Sequence, residues 1–207
     1  EKLGAHFIQN GDRTGTYFAV WAPNARAISV IGNFNGWNSG VHKLHPRWDE
    51  SGIWEAFFTD IHHGEAYKYA IHSNTGEYLE KSDPFASYCE TPPKTASIVW
   101  TPKYDWKDSV WLKDRKALTG KKQPYAVYEV HYGSWRRKAE EGSRSLTYPE
   151  MALELVGYVK DMGYTHVEFL PLMEHPLDES WGYQCTGFFA PSSRFGSADD
   201  LRFLIDS

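Results

Sequence analysis

The spacing of apolar and polar residues divides the chain into parts with different periods. In residues 1–100, short alternating runs are separated by turn-forming pairs such as Pro23-Asn24 and Asn35-Gly36. The alternation predicts strands over 15–21, 27–32, 52–58, 66–72 and 95–100. Regular short strands without a helical period are typical of an all-β, immunoglobulin-like sandwich, which is therefore the fold predicted for this part.

Residues 101–124 are polar and lysine-rich, and we interpret them as a linker between two domains. Trp106 and Trp111 lie within this stretch, and we expect them to pin it to the neighbouring structure. The predicted domains are therefore a β-sandwich module over 1–100, a linker over 101–124, and a second domain over 125–207.

After residue 124 the pattern changes to strand, helix, strand. The run YAVYEVH over 125–131 predicts a buried strand, and a second strand is predicted over 166–170. Between them, Thr147 and Glu150 have the spacing of a capping box, with Leu146 and Met151 placed as a hydrophobic staple, so a helix should begin at Thr147. Its predicted inward face consists of Ala152, Leu155, Val156, Val159 and Met162.

A second helix is predicted close to the end of the sequence. Ser197 and Asp200 have cap spacing, and Leu201, Leu204 and Ile205 are predicted to share one face of the helix. Alternating strands and helices are typical of a parallel α/β fold. A complete (β/α)8 barrel (TIM barrel) takes about 250 residues, so 125–207 is predicted to be the incomplete, truncated beginning of one.

Charge and composition exclude several function classes. The chain has 27 acidic and 22 basic residues, so it lacks the positive field that binding to nucleic acid requires. No run approaches 18 apolar residues, and the first ten residues lack the pattern of a signal peptide. We therefore expect no membrane partner and a cytoplasmic location.

The metal-ligating residues do not have the spacing that would predict a metal site. The two cysteines, Cys89 and Cys185, lie far apart in the sequence and form no C-x-x-C motif. Neither a disulfide framework nor a thiolate zinc site is therefore predicted. Glu174 and His175 are adjacent but have no further ligands at metal spacing. For His131 we expect a hydrogen-bonded core position near the floor of the barrel rather than a role as a catalytic base.

Aromatic residues make up 16% of the chain, with nine Trp, 13 Tyr and 11 Phe. An aromatic ring has a flat apolar face that suits the C–H face of a sugar as well as a protein core. Composition alone does not separate these two uses.

Short motifs follow one another along the whole chain in a particular order. In the first hundred residues they are LGAH (3–6), FAVWAPNA (18–25), GNFNGW (32–37), YKY (67–69) and KSDP (81–84). They continue with YEVH (128–131), GSW (133–135), EFLP (168–171), EHP (174–176), WGYQ (181–184), FAP (189–191) and RFG (194–196). In order and spacing they resemble the glycogen (1,4-α-glucan) branching enzymes, in which a starch-binding-type sandwich precedes an α-amylase-type barrel.

This resemblance implies an activity and a set of contact residues. The implied reaction cleaves an α-1,4 bond and transfers the chain to a 6-hydroxyl, without a cofactor or metal, and the catalytic Asp and Glu are expected beyond Ser207. In the barrel segment it implies that Tyr183 stacks on the reacting sugar, while Trp181 and Gln184 shape the same loop. In the sandwich it implies glucan contacts for Trp37, Lys68 and Tyr78, although relatives often have Trp where Tyr78 lies.

Other functions remain open from the sequence. One is a noncatalytic glycogen-binding or targeting module, which would account for residues 1–100 but not for the strand–helix–strand pattern after them. Another is a related debranching or trehalose-releasing hydrolase, which shares the WGY and FAP motifs; Gln184 and Thr186-Gly187 favour the branching enzyme. The expected partner is an α-glucan such as glycogen, amylose or a maltooligosaccharide, and a monomer is favoured.

Overall fold

The computed structural model describes residues 3–118 and 124–207. In chain order the strands are β1 (Gly4–Asn10), β2 (Arg13–Trp21), β3 (Ala25–Gly32), β4 (His42–Lys43), β5 (His45–Pro46), β6 (Ile53–Phe58), β7 (Ala66–Ser73), β8 (Tyr78–Lys81), β9 (Ser97–Ile98), β10 (Val127–Val130), β11 (Arg137–Lys138), β12 (Arg144–Ser145), β13 (His166–Phe169), β14 (Met173–Glu174) and β15 (Gly187–Pro191). The helices are α1 (Ser109–Leu118), α2 (Tyr132–Trp135), α3 (Tyr148–Asp161) and α4 (Ala198–Asp206).

The described residues form two compact units that differ from the contiguous division predicted above. The first unit contains 1–101 together with 173–176 and 185–193. The second contains 102–172, 177–184 and 194–207. Two short segments from the later part of the sequence therefore belong to the first unit, which strand and helix periodicity does not reveal.

The first unit is a two-sheet β-sandwich. One sheet has the order β1-β2-β6-β5, and the other has the order β4-β3-β7-β8, with β9 also paired to β7. Alternate residues of β2, β3 and β7 enter a shared core that includes Phe18, Val20, Ile28, Val30, Tyr67 and Tyr69. The period-2 pattern of these strands is thus explained by burial of one face of each sheet.

Asp83, in the KSDP motif, is a buried carboxylate that belongs to this sandwich core. The hydroxyls of Tyr67 and Tyr69 donate to its Oδ2 at 2.6 and 3.1 Å, and the backbone N–H of Phe85 donates to its Oδ1 at 2.8 Å. Burial raises the pKa of Asp83, while these hydrogen bonds oppose the shift. The motif therefore fixes the chain to the core beneath β7.

The strand predictions for the first unit hold in position and differ in extent. The strands predicted over 15–21, 27–32, 52–58 and 66–72 correspond to β2, β3, β6 and β7, whereas the strand predicted over 95–100 is shortened to β9. The pattern missed β1, β8 and the two-residue strands β4 and β5. β1 pairs with β2 along its whole length, although its second half, Ile8–Asn10, is exposed and so lacks a buried alternating face.

The second unit has a strand–helix–strand core. β10 and β13 pair in parallel, and Leu146, Met151, Leu155 and Phe195 pack in the same cluster as Val130. The capping boxes of α3 (Thr147 with Glu150) and α4 (Ser197 with Asp200) are both present, as predicted. Two predicted inward positions are wrong: Met162 and Ile205 are both exposed, Met162 because it is the C-cap residue that follows the last turn of α3.

The strand predicted over 125–131 is also less buried than predicted. Val127 and Glu129 are exposed, as are His166 and Glu168 of β13. Within the described residues, β10 and β13 have no further parallel neighbour, so one face of this pair is uncovered. A complete parallel sheet would be covered on both faces.

The stretch predicted as a linker is ordered where the structure describes it, and it contains α1. The carboxylate of Asp199 accepts from the backbone N–H of Lys103 at 3.1 Å, and Asp206 Oδ2 accepts from the hydroxyl of Tyr104 at 2.7 Å. Trp106 and Trp111 are about half exposed, and carboxylates of α4 hold the stretch through hydrogen bonds that the prediction did not include. None of the helices in 3–118 and 124–207 is long and apolar enough to span a bilayer.

Candidate functional site

Trp37 is displayed by a tight turn that follows β3. Its φ angle is 59°, in the left-handed region, and Gly36 before it has φ 60°. The backbone N–H of Trp37 donates to Gly32 O at 2.8 Å, and its indole Nε1–H donates to Asn33 Oδ1 at 2.9 Å. Trp37 is 38% exposed, so the residue is partly open to solvent while its indole N–H is held.

Gly32 is required at the base of this turn because a side chain would not fit there. A Cβ at this position would lie 2.4 Å from Ala66 O and 2.4 Å from the ring of Phe34. The backbone of β3 and the ring of Phe34 therefore pack closely together. This contact fixes the start of the turn that carries Trp37.

A hydrogen-bond relay holds the turn from within. Asn35 accepts from Gly32 N at 3.1 Å and donates through Nδ2 to Val30 O and His42 Nδ1, both at 2.9 Å. His42 Nε2 in turn lies 2.9 Å from Asp60 Oδ2. Because Nδ1 accepts from the Asn35 amide, the network places the imidazole proton on Nε2, facing Asp60.

His42 is buried, with its ring packed edge-on between Phe34 and Phe58 at centroid distances of 5.2 and 4.8 Å. The sequence predictions did not include Asn33, Asn35 or His42 as site residues. The two asparagines lie in the GNFNGW motif, which could have indicated them. No local sequence signal places His42 beneath the turn.

Trp37 and Lys68 line the same depression, which has a volume of about 390 Å³. Lys68 lies on β7, where its neighbours Tyr67 and Tyr69 point into the core, so its own side chain faces outward. The remaining lining residues are Asn33, Glu90, Lys94, Thr95 and Ala96, and Lys94 forms an ion pair with Glu90 at 3.3 Å. An exposed indole beside a lysine and several polar groups suits a polyhydroxylated ligand.

Tyr78 lies apart from this depression. It is on β8 opposite His72, four residues along β7 from Lys68, which corresponds to about 13 Å. Its ring packs on His72 with centroids 5.0 Å apart, and its hydroxyl donates to Glu80 Oε1 at 3.0 Å. The structure thus brings together two of the three residues predicted for the sandwich.

The second candidate site lies in the second unit, where β10 and β13 end. Glu129 and Glu168 are partners in the parallel register and share the uncovered face, whereas Tyr128 and Phe169 pack toward α3. Together with Phe169, Leu170, Pro171 and Tyr183, the two glutamates line a depression of about 250 Å³. Tyr183 is therefore close to the carboxyl end of β13.

The loop that carries Trp181, Tyr183 and Gln184 is wedged against Pro171. Gly182 has φ 88°, and a Cβ there would lie 2.2 Å from Pro171 O, so only glycine fits without rearrangement. Trp181 has φ 54°, and Tyr183 N–H donates to Ser180 O at 3.0 Å. Tyr183 is 70% exposed and Gln184 is exposed, so both side chains are available for contact.

The position of His131 differs from the core position near the barrel floor that was predicted. It directly follows the last residue of β10, and its ring lies 5.4 Å from that of Trp181, with Nδ1 2.7 Å from Ser134 Oγ. It is hydrogen-bonded as predicted, but it is half-buried and lies at the carboxyl end of the strand, away from the core and the predicted floor. The strand ends one residue earlier than predicted, which places His131 beside the loop.

Glu174 and His175 form part of the first unit, where both are buried. Glu174 accepts from Ser193 N at 2.7 Å and from His175 N at 3.1 Å, and His175 Nδ1 lies 2.8 Å from Met173 O. These contacts tie β14 to the segment after β15. Across 3–118 and 124–207, no group of three or more His, Cys, Asp or Glu side chains could hold a metal ion.

Comparisons with known proteins give matches to the sandwich and to the chain as a whole. Residues 2–86 match the family carbohydrate-binding module 48 (isoamylase N-terminal domain). The whole chain is 52% identical over 206 residues to the 1,4-alpha-glucan branching enzyme GlgB of Aquifex aeolicus, and 99% of the chain aligns with that of Desulfitobacterium hafniense at 50% identity. In both cases the match covers 32% of the relative, so the chain spans about a third of their length.

Solved structures with similar folds are also known. The catalytic module of the glycogen-degrading pneumococcal virulence factor SpuA aligns with all of this chain with a TM-score of 0.69 and 18% identity, covering 35% of that module. The GBS pullulanase SAP, solved with maltotetraose, aligns with 97% of the chain with a TM-score of 0.66 and 18% identity, covering 30% of that protein. At this identity the likeness concerns the fold.

Proposed function

We propose that this chain, whose sequence is that of the amino-terminal region of the 1,4-alpha-glucan branching enzyme family, binds α-glucan and contributes one wall of the active site of such an enzyme. The observation that carries the proposal is the position of Tyr183. Its exposed ring lies at the carboxyl end of β13 on a loop that is fixed by Gly182. Active sites of (β/α)8 barrels are built from the loops at this end of the strands.

The architecture that supports this proposal is an immunoglobulin-like sandwich followed by the first βα units of a barrel. β10, α3 and β13 form one parallel strand–helix–strand unit, and α4 follows. The uncovered face of β10 and β13, with Glu129 and Glu168, would face the interior of the completed barrel. The remaining strands would come from the portion of the relatives that this chain does not span.

The proposed reaction is retaining chain transfer. A carboxylate attacks the anomeric carbon of an α-1,4-linked glucose while a second carboxyl group protonates the departing O4, which releases one chain end and leaves a glycosyl-enzyme. The same second group then removes the proton from a 6-hydroxyl, whose oxygen displaces the enzyme carboxylate and forms the α-1,6 bond. Both groups are proposed to lie beyond Ser207.

Tyr183 would contribute to the barrier of this reaction. A ring stacked on the reacting glucose can favour the flattened oxocarbenium-like transition state over the relaxed sugar, and such an interaction raises turnover. Trp181, which packs on His131, and Gln184 would keep the Tyr183 ring and the sugar aligned. In the sandwich, Trp37 and Lys68 would bind a glucan chain by stacking and hydrogen bonding, with Tyr78 as an additional contact.

The experiment is a branching assay on the complete enzyme and its Tyr183→Ala and Tyr183→Phe variants with amylose. Tyr183→Ala should lower turnover at saturating glucan with little change in melting temperature, and Tyr183→Phe should separate the ring from the hydroxyl. The 207-residue chain alone should form no α-1,6 ends. Turnover of Tyr183→Ala close to wild type would remove Tyr183 from the site.

The alternatives give different products in the same assay. A noncatalytic glycogen-binding or targeting protein would bind amylose and form no new bonds. A debranching or trehalose-releasing hydrolase would generate free reducing ends or trehalose instead of α-1,6 links. A cytoplasmic monomer remains our proposal for location and assembly, and sedimentation of the complete protein would test the latter.

A further inference from the structure

Two tryptophans at one end of the sandwich are far more exposed than a core role would require. Trp48 lies in the turn between β5 and β6 and is 91% exposed, and Trp21 at the end of β2 is 62% exposed. Trp21 is the register partner of Ile53, and the backbone of Ala22 donates to Gly52 O at 2.9 Å. Trp48 therefore lies within the turn 47–52, and Trp21 lies beside it.

The turn that carries them is ordered by its own hydrogen bonds. Trp21 Nε1–H donates to Ser51 O at 3.1 Å, Ser51 N–H donates to Asp49 Oδ1 at 3.2 Å, and Arg47 N–H donates to Ile53 O at 2.8 Å. Gly52 has φ 77° and packs against Pro23. Ligand binding would therefore incur little cost in ordering this turn.

A fixed polar cluster lies beside the turn. Arg47 Nε donates to Glu55 Oε2 at 2.9 Å, and Tyr17 and Arg47 Nη2 donate to the same carboxylate oxygen. The hydrogen bond from Arg47 lowers the pKa of Glu55, which is therefore ionised at neutral pH. A guanidinium, a phenol and a carboxylate thus stand in fixed positions next to two open indole faces.

Trp37 resembles Trp21 in that its indole N–H is bonded to the protein while the residue is exposed. The two sites lie on opposite sheets. Trp37 follows β3 and Lys68 lies on β7, which are in one sheet. Trp21 ends β2 and Trp48 lies between β5 and β6, which are in the other sheet. A short sugar bound at one site would leave the other free.

We propose that Trp21 and Trp48 form a second binding surface for α-1,4-linked glucose chains, which rests on the glucan binding proposed above. The indoles would stack on the C–H faces of glucose units, and Arg47, Asp49 and Glu55 would hydrogen-bond to their hydroxyls. The module would then engage two chains, and a branched polymer would bind with an avidity that no short oligosaccharide reaches.

The test is calorimetric titration of the 207-residue chain with maltoheptaose, with retardation on glycogen-containing gels as a second readout. Wild type should bind two equivalents. Trp48→Ala should weaken one of them roughly tenfold and Trp37→Ala the other, whereas Trp48→Tyr should retain binding. Trp111→Ala, which removes a similarly exposed indole from α1, is the matched control and should change neither. Thermal melting verifies that each variant is folded.

Three other results would contradict the proposed second surface, each for a different reason. One equivalent in wild type, abolished by Trp37→Ala and unaffected by Trp48→Ala, would overturn the second surface and leave the proposed glucan binding intact. Unchanged sugar binding with reduced self-association in Trp48→Ala would overturn it in favour of a protein contact. No sugar or glycogen binding by the wild-type chain would reject glucan binding by the module altogether.

Discussion

The turn that carries Trp37 and the loop that carries Trp181 are both held in a fixed conformation, but by different contacts. Among the described residues, four that are not glycine have positive φ, and two of these are Trp37 and Trp181. In the first turn, the Asn35 side chain bonds the backbone of Gly32 and Val30, His42 supports the Asn35 amide, and Asn33 accepts from the Trp37 indole. In the second, Gly182 is wedged against the backbone of Pro171. A turn held by side chains should lose its function gradually, whereas a wedged loop should lose it at a single position.

The largest expected effect is that of Gly182→Ala in the complete enzyme. The added Cβ would approach Pro171 O to 2.2 Å at a positive φ, so the loop must move. We expect a cost of about 3 kcal/mol in the positioning of Tyr183, equivalent to a loss of turnover of about 100-fold. Initial branching rates at saturating glucan measure it.

Gly36→Ala is the matched control for that variant. Gly36 also has positive φ, but nothing lies within 4 Å of the position of its Cβ. It should cost about 1 kcal/mol and leave turnover close to wild type. Equal losses in the two variants would show that an alanine at positive φ, and not the contact with Pro171, accounts for the effect of Gly182→Ala.

His42→Gln should produce a smaller effect, confined to the sandwich. The substitution disturbs the relay from Asp60 through His42 to Asn35, and we expect about 1 kcal/mol, or roughly fivefold to tenfold weaker glucan binding at the Trp37 site. Calorimetry with maltoheptaose measures it. His63→Gln, which alters a sandwich histidine outside the relay that packs on Trp100, should leave the affinity unchanged. An unaltered affinity in His42→Gln would show that the turn does not need the relay.

Asn33→Ala should have a still smaller effect because it removes the hydrogen bond at the edge of the indole and one polar group from the lining of the depression. Trp37 Nε1–H would then bond to water, and the ring would lose its fixed angle at a cost of up to about 1 kcal/mol. Maltoheptaose affinity should fall by no more than roughly fivefold. A loss as large as that of Trp37→Ala would mean that the bond, rather than the ring, carries the contact.

The smallest expected effect is a change in the rate of thiol alkylation, which reports on the loop that carries Tyr183. Cys89 is buried, and burial raises the pKa of its thiol to about 12, so at pH 8 only about one in ten thousand molecules carries the thiolate. Cys185 directly follows Gln184 and is half-buried. Iodoacetamide should label one thiol in the native chain and two after denaturation. Gly182→Ala should speed the native reaction and Trp37→Ala should not; labelling of both native thiols would contradict the burial of Cys89.

The fold was predictable wherever the sequence contains a local signal. The alternation in 15–21 and 66–72 indicated strands because one face of each is buried, and the spacing of Thr147 and Glu150 located the start of α3. Met162 and Ile205 were assigned to inward faces by periodicity, which does not show where a helix stops packing. The assignment of 173–176 and 185–193 to the first unit depends on contacts between distant segments, which period counting does not detect.

The candidate sites show the same limit. Tyr183, Trp181 and Trp37 were predicted as contact residues because their motifs resemble those of a known family; all three residues are exposed, and their sugar contacts stay a prediction. His42 could not be predicted, because it acts through Asn35 from a strand seven residues away. The grouping of Tyr78 with Lys68 did not follow, since four residues along a strand separate their positions.

The discontinuous first unit has a consequence for inheritance. Ala86 and Cys89 share a small buried cluster with Ala190, and Ser193 donates to Glu90 O at 3.3 Å. A single recombination crossover anywhere between residues 101 and 173 would combine the sandwich of one parent with the β14 and β15 segments of another. Chimeras made in this way should lose stability, whereas exchange of 173–193 together with 1–101 should preserve it. We therefore expect substitutions in these separated segments to have been selected jointly, so that the two stretches evolve as one hereditary block.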